Sequence, residues 1–302
     1  MNSNRAYPRV SIITPVFNQA EYLEETIESV LSQSYPNIEY IVLDDGSTDH
    51  TRDILKKYEG KIQYESHENM GQARTLNKGW KMSKGEILSY LSSDDILDVD
   101  AISLLVAKLD RGSSIVFGNY RLIDEQSKKI KTKNAPFFGY KDMVQNFNCP
   151  IGPGAIFTRD LFSNFQGWKE EFRLLPDYDF WIRAGRNARF IKVDQEIAGF
   201  RVHTGSQTFA SSTPTKSDES IACISNFFSS NMEARFEFNH RQAFASAFIF
   251  SSCMHLRSGR YVVALRRFCE AVKHGGYYAI SKRNGVRLCG AIYSIFKYKH
   301  IK

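Results

Sequence analysis

Long apolar runs are missing from this 302-residue chain. Nothing approaches the ~20 residues needed to cross a bilayer, and the polar N-terminus has no apolar core of signal-peptide length. Cysteine is sparse as well. The five present, Cys149, Cys223, Cys253, Cys269 and Cys289, are odd in number, widely spaced and without a Cys-x-x-Cys pair. That pattern excludes a disulfide framework and a zinc site, and fits a reducing cytoplasm. No Gly-rich, lysine-bearing phosphate loop follows the first strand, which removes the support for a nucleotidyltransferase. A fixed repeat period is absent too, so the chain is not a solenoid. Acids are scarce in one place only: from Met254 onward eleven Lys or Arg face a single acid, Glu270. That tail carries +10 of a total of +7, and the first 253 residues therefore carry −3.

What is present is an ordinary soluble composition, 42% hydrophobic and 24% charged. Val10 to Thr14 is a β-branched strand closed by Pro15. Glu21 to Ser32 places Leu23, Ile27, Val30 and Leu31 at helical spacing. Ile38 to Leu43 is a second strand, Thr51 to Tyr58 a helix and Ile62 to Glu65 a third strand. A turn at Asn69 leads into a helix ending near Trp80, and Ile87 to Leu91 is a fourth strand. Alternation of this kind predicts a parallel α/β sheet, where ligands collect beyond the carboxyl ends of the strands. Two of those ends carry adjacent acids, Asp44-Asp45 and Asp94-Asp95. Adjacent carboxylates repel unless a cation or a set of donors lies between them. A divalent metal holding a phosphate-bearing ligand is one reading; a solvated turn or helix N-cap is the other. The recurrence of the pair favours the ligand site.

The strings SIITPVFNQAEYLEETIESVLSQSYPNIEYIVLDDGSTDHT (Ser11 to Thr51), ENMGQARTLNKGW (Glu68 to Trp80) and GEILSYLSSDDIL (Gly85 to Leu97) resemble inverting glycosyltransferases of family 2. So do GPGAIFTRDLFSNFQGWKEEFRLLPDYDFWIRAG (Gly152 to Gly185) and FRVHTGSQT (Phe200 to Thr208). The resemblance implies the GT-A fold: a Rossmann-like, mostly parallel sheet flanked by helices, here over residues 1–210, with a C-terminal helical extension. Pro15 and Phe17 would form the wall for the nucleotide base, with plain core the alternative for Phe17. Asp45 would accept from the ring N–H of uracil or thymine, with Asp44 the weaker candidate. Gln72 and Asn77 would turn their amides toward the sugar or diphosphate. Ser93 and Asp94 would border the donor, and Asp94, Asp95 and His203 would hold Mn²⁺ or Mg²⁺. Ser92 and Ser93 precede the acids where the family usually reads Asp-x-Asp. Asp177 would be the catalytic base, although Pro176 stands where Glu is more usual.

Transfer from a nucleotide sugar leaves a diphosphate whose charge grows in the transition state, and a hard divalent cation offsets it. A carboxylate on the opposite face takes the acceptor proton in a single inverting displacement. The resemblance thus implies transfer of a hexose or N-acetylhexosamine from a UDP-sugar, with dTDP the alternative. The acceptor would be a hydroxyl of a glycan or lipid-linked glycan in surface polysaccharide synthesis. A catalytically silent nucleotide-sugar-binding or scaffold protein is the competing reading. Ile115 to Tyr120, the basic loop Lys128 to Lys133 and the Gly152-Pro153-Gly154 turn would form the acceptor side.

Residues 211–219, rich in Ser, Thr and Pro, read as a flexible linker or lid. Residues 220–302 read as a helical basic region, with Phe227, Phe228, Phe236 and Phe244 on an apolar face. Tyr261 to Lys273 interleaves Val262, Val263, Leu265, Phe268 and Val272 with Arg266, Arg267 and Lys273. With the terminal Tyr293, Phe296 and Tyr298, that pattern fits either a packed helical appendage or a peripheral contact with the anionic inner face of a membrane. No nucleic-acid reader motif accompanies the cations, so nucleic acid is not expected as a partner.

Overall fold

The computed structural model describes residues 7–110, 112–134, 139–203, 205–206, 212–230 and 237–298, the last six by backbone alone. Thr204, Gln207 and Thr208 of the last motif, together with Ser211, Phe236 and the side chains of Tyr293, Phe296 and Tyr298, lie outside the described residues. In chain order the elements are β1 (Val10–Val16), α1 (Ala20–Leu31), β2 (Ile38–Asp44), α2 (Thr51–Lys57), β3 (Gln63–Ser66), α3 (Gln72–Met82), β4 (Ile87–Tyr90), β5 (Ile96–Leu97), α4 (Ala101–Ala107), β6 (Ser114–Ile123) and β7 (Lys129–Lys133). Then follow α5 (Tyr140–Gln145), β8 (Ile156–Thr158), α6 (Arg159–Phe165), α7 (Pro176–Ala184), β9 (Arg189–Arg201), α8 (Pro214–Ser217), α9 (Glu219–Ser229), α10 (His240–Arg257), α11 (Tyr261–Gly275), a 3₁₀ turn (Gly276–Ile280) and α12 (Lys282–Tyr298).

The chain divides into two compact units. The first comprises residues 1–136, 150–170 and 187–206, and it contains the whole sheet, ordered β3-β2-β1-β4-β8-β6-β9-β5 with β7 on β6. Every residue of β1 is buried, because helices cover both faces of a parallel strand. Val10, Ile12, Leu23, Ile27 and Val42 centre one core, while Trp80 packs edge-on against Phe157 in another layer. Pro15 is tolerated in this central strand because the ladder to β4 stops at Ile13↔Tyr90, so its missing N–H costs little there. Parallel pairing holds through β1, β2, β3 and β4, and between β6 and β9. The pairs β4–β8, β5–β9, β6–β7 and β6–β8 are antiparallel. The sheet is therefore mixed: strand-helix alternation ends at β4, and the expected basic loop Lys128 to Lys133 is an edge strand instead.

The second unit comprises residues 137–149, 171–186 and 207–302. Ala245, Ile249, Cys253, Ala271 and Ala279 form one cluster, and Phe147 sits between Tyr178 and Phe250 with ring centroids 4.2 and 4.8 Å away. The stretch expected to be a linker is ordered structure from Ser212 on. Thr213 caps α8 by accepting from the Lys216 N–H, and Asp218 binds the Arg267 guanidinium, Ser251 and His255. Charge pairing overrides the loop-forming composition of the segment. No helix among the described residues is long and apolar enough to cross a membrane.

Candidate active site

Both acid pairs lie at or just beyond the carboxyl ends of parallel strands, β2 and β4, that flank β1. Strands ~4.8 Å apart bring these two ends within roughly 10 Å. The two pairs nevertheless relieve their repulsion differently.

The carboxylate of Asp44 is fully buried; its Oδ1 accepts from the Ser47 N–H at 2.8 Å and its Oδ2 from Arg52 Nε at 3.2 Å. Burial pushes this acid toward protonation, but hydrogen bonds from Ser47, Ser66 and Arg52 outweigh it and hold the carboxyl below the usual range. Asp45 spends one oxygen on the Met70 N–H (2.7 Å) and the other on the Gly71 N–H (2.9 Å), while its carbonyl accepts from Asn69 Nδ2. The pair thus pins the turns after β2 and β3 together, and here a set of protein donors relieves the repulsion between the two acids. Gly46 is required in that turn: at φ +78° it is left-handed, and a Cβ would lie 2.8 Å from the Asn69 nitrogen. Asn18, also left-handed at φ 51°, accepts from the Thr48 N–H and closes the loop onto the end of β1. Phe17 is 47% exposed, so it is not core. Pro15 beside it is buried.

Both amide atoms of Asn77 are engaged by the protein. Its Nδ2 donates to the Trp168 carbonyl at 2.7 Å and its Oδ1 accepts from the Trp168 N–H at 2.9 Å, which makes it a buried strut between α3 and the 168 loop. Gln72, in the first turn of α3, is half-buried.

After β4 the predicted three-residue metal site separates. Asp95 is buried, and its Oδ1 accepts from the Arg201 N–H at 2.9 Å. Burial first, and then the charge of Asp94, push its proton affinity well up. Asp94 points the other way: its Oδ2 lies 3.0 Å from His203 Nε2, and its side chain keeps 18% exposure, against 0% for Asp44 and 4% for Asp45. Among the described residues no three His, Cys, Asp or Glu side chains converge as a metal-binding group. Asp94 and His203 do fit one hard divalent cation whose remaining positions go to water and phosphate oxygens, the arrangement Mg²⁺ prefers. Asp95 is set apart from this pair by the Arg201 N–H on its Oδ1 and by its burial. The Ser93 carbonyl, with that of Asp95, lies within 3 Å of the Thr26 hydroxyl, so the loop is anchored to α1.

Arg201 was not legible in advance. It is fully buried, its guanidinium bonds Glu25, Ser127 and the carbonyls of Asp94, Asp124 and Glu125, and it lies 4.8 Å from the centre of the Tyr22 ring. Tyr22 in turn lies 4.9 Å from the His203 ring. One buried cation thus fixes the acid pair and the histidine's neighbour, and the only sequence signal was its place two residues before His203.

In the second unit, Asp177 lies in the first turn of α7 and accepts from the Tyr178 N–H at 2.7 Å. Pro176 at the helix start suits a position with no N–H to satisfy. Burial raises the Asp177 carboxyl to about 6, opposed by backbone donors and reinforced by the charge of Glu219. Glu219, buried inside the segment expected to be a linker, accepts from the N–H groups of Arg173, Leu174 and Leu175 at 2.8, 2.7 and 2.9 Å. It therefore shapes the loop that enters α7 as well as the proton affinity of Asp177.

Comparison with known proteins bears on the family and the fold. The family model described as glycosyl transferase family 2 matches residues 11–186. An uncharacterized glycosyltransferase of Rickettsia typhi is 34% identical over 217 residues, 69% of this chain and 68% of the relative. A chondroitin synthase of Escherichia coli is 27% identical over 207 residues, 67% of this chain but 30% of that protein. The crystal structure of S. aureus TarS 1–349 in complex with UDP-GlcNAc superimposes with a TM-score of 0.65 at 17% identity, covering 92% of each chain. That likeness establishes a GT-A fold.

Proposed function

The chain belongs to glycosyl transferase family 2, and from that premise we propose that it is a metal-dependent inverting enzyme moving a hexosyl or N-acetylhexosaminyl group from a UDP-sugar to a glycan or lipid-linked glycan hydroxyl. The observation that carries this reading is that, of the four paired acids, Asp94 keeps the most accessible carboxylate and stands beside His203 at the end of a central parallel strand. Asp94 and His203 would hold Mn²⁺ or Mg²⁺, which when bound offsets the charge growing on the diphosphate. Phe17, exposed at the end of β1, offers its face to the base. Asp45 retains unused lone pairs for a ring N–H, since an ionised carboxylate has about four acceptor sites. The backbone turn at the start of α3 supplies donors to phosphate, with Gln72 beside it.

Asp177 takes the proton from the acceptor hydroxyl as the anomeric carbon is displaced with inversion. Its raised proton affinity supports the role, because a base works best when its pKa lies near the working pH. The TarS complex with UDP-GlcNAc and the chondroitin synthase support a uridine donor and a role in surface polysaccharide synthesis. The enzyme would meet its acceptor from the cytoplasm, peripherally bound to an anionic membrane through its basic C-terminal region.

Calorimetric thermal shift and turnover test this together. UDP-sugars with Mn²⁺ should stabilise the wild type, and Asp94→Ala or His203→Ala should abolish the Mn²⁺-dependent part of the shift. Asp177→Asn should retain the shift and lose transfer. Unchanged Mn²⁺-dependent binding in Asp94→Ala would defeat the metal assignment, and normal turnover in Asp177→Asn would defeat the base assignment.

A further inference from the structure

α11 is packed inside out. Its buried residues are small, Ala264 (1% exposed), Ala271 (0%) and Gly275, and they seat the helix closely on α10. Ser252 of α10 donates to the Ala264 carbonyl, and a Cβ on Gly275 would come 2.3 Å from the Cβ of Ala245. The large apolar residues face outward instead: Val262 is 67% exposed, Leu265 62%, Tyr261 54% and Val272 40%. At 100° per residue these four, with the exposed Cys269, occupy a stripe roughly 100° wide, and Arg266 and Lys273 follow along one border of it. The 3₁₀ turn that follows also exposes Tyr277 and Ile280.

From this geometry we infer that α11 is the membrane-contacting element, lying in the interface of an anionic bilayer with Val262, Leu265 and Val272 in the acyl boundary and Arg266 and Lys273 on lipid phosphates. An apolar stripe edged by cations is the design of an interfacial helix. Four of the tail's eleven cations are engaged within the fold, Arg267 by Asp218, Arg283 by Asp142, Arg260 by His255 and Ser217, and Arg287 by the Phe147 carbonyl, whereas Arg266 is exposed beside the stripe and Lys273, also exposed, has only Glu270 at 3.9 Å. A second copy of the chain is a poorer occupant. One helical stripe falls short of the roughly 800 Å² per partner of a stable interface, and pairing two such stripes would oppose like charges. The inference deepens the peripheral-membrane reading and does not depend on the catalytic one.

The test is flotation of the full-length protein with vesicles of equimolar phosphatidylglycerol and phosphatidylcholine, beside phosphatidylcholine alone. Wild type should float with the anionic vesicles only. Val262→Ser with Leu265→Ser, at exposed positions that leave the fold intact, should reduce the bound fraction at least about tenfold. Arg266→Glu with Lys273→Glu should reduce it too, and added salt should mimic that loss. If wild type and the serine variant float equally, the membrane reading stands and the α11 face is wrong. If wild type does not float, both fall. Light scattering that shows a dimer lost in the serine variant, without flotation, would give the stripe to a second copy and overturn the inference.

Discussion

Replacing Asp177 by Asn should make the protein more stable while removing its activity, and the gain should depend on pH. The carboxyl sits at about 6 in the folded chain against an ordinary 3.8, chiefly because burial disfavours its charge. At about 1.4 kcal/mol per pH unit the difference corresponds to about 3 kcal/mol. Since Asp177 keeps some contact with solvent, about 2 kcal/mol is the working figure. The sign follows from proton linkage. A raised folded pKa means that the native state binds the proton more tightly than the unfolded chain. Wild-type stability contributed by this group is therefore full below 3.8 and is lost as pH rises through about 6. Asn carries no such loss, and its Oδ1 still accepts from the Tyr178 N–H. Urea melts should show the variant equal to wild type near pH ~4 and more stable by about 2 kcal/mol near pH ~8. Transfer should fall by about 10² to 10⁴. In wild type the rate should rise about tenfold from pH ~5 to ~7 as the base ionises. A variant no more stable at pH ~8 than at pH ~4, or a rate flat across that range, would refute the reasoning.

Glu219→Gln should leave one of the three backbone donors of Arg173, Leu174 and Leu175 facing an amide NH₂, at a cost of about 1–3 kcal/mol in urea melts. Because the charge of Glu219 raises Asp177, the acid limb of its pH-rate profile should move to lower pH. Arg201→Met should leave Glu25 without its partner, remove the positive charge near Asp95 and strip several carbonyls of their donor, costing about 3–5 kcal/mol in unfolding, with donor binding lost alongside. Gly46→Ala should lower Tm and weaken UDP binding together, because its Cβ drives the 45–47 turn off the Asn69 backbone; equal affinity by calorimetry would contradict the place given to that turn.

Much of the fold was legible because its first half repeats one unit of strand, helix and turn. The boundaries of β1, β2, β4, α1 and α2 fall within one or two residues of the sequence reading. β5 and β8 were not legible, since strands of two and three residues carry no periodicity. Their antiparallel pairing, with that of β7, makes the sheet mixed. At the site, the positions of the acids were readable and their allegiances were not. Asp45 and Asp95 each look like ligands in sequence, yet each is bound by backbone N–H groups from segments 25 and 106 residues away. The amide of Asn77 is likewise matched to the backbone of Trp168, 91 residues on. Arg201 and Glu219 escaped notice because a lone charge in a strand or in a Ser/Thr-rich stretch reads as solvated. Only tertiary contact reveals that either is buried.

The path of the chain between its two units bears on any attempt to recombine members of this family. Residues 137–149 and 171–186 belong with 207–302, so the polypeptide passes back and forth before it finishes. A chimera joined near position 210, the seam that sequence alone recommends, would take Asp177 and Arg173 to Leu175 from one parent and Glu219 from the other. Hybrids that exchange all three segments together keep Asp177 and the Glu219 that supports its loop co-inherited.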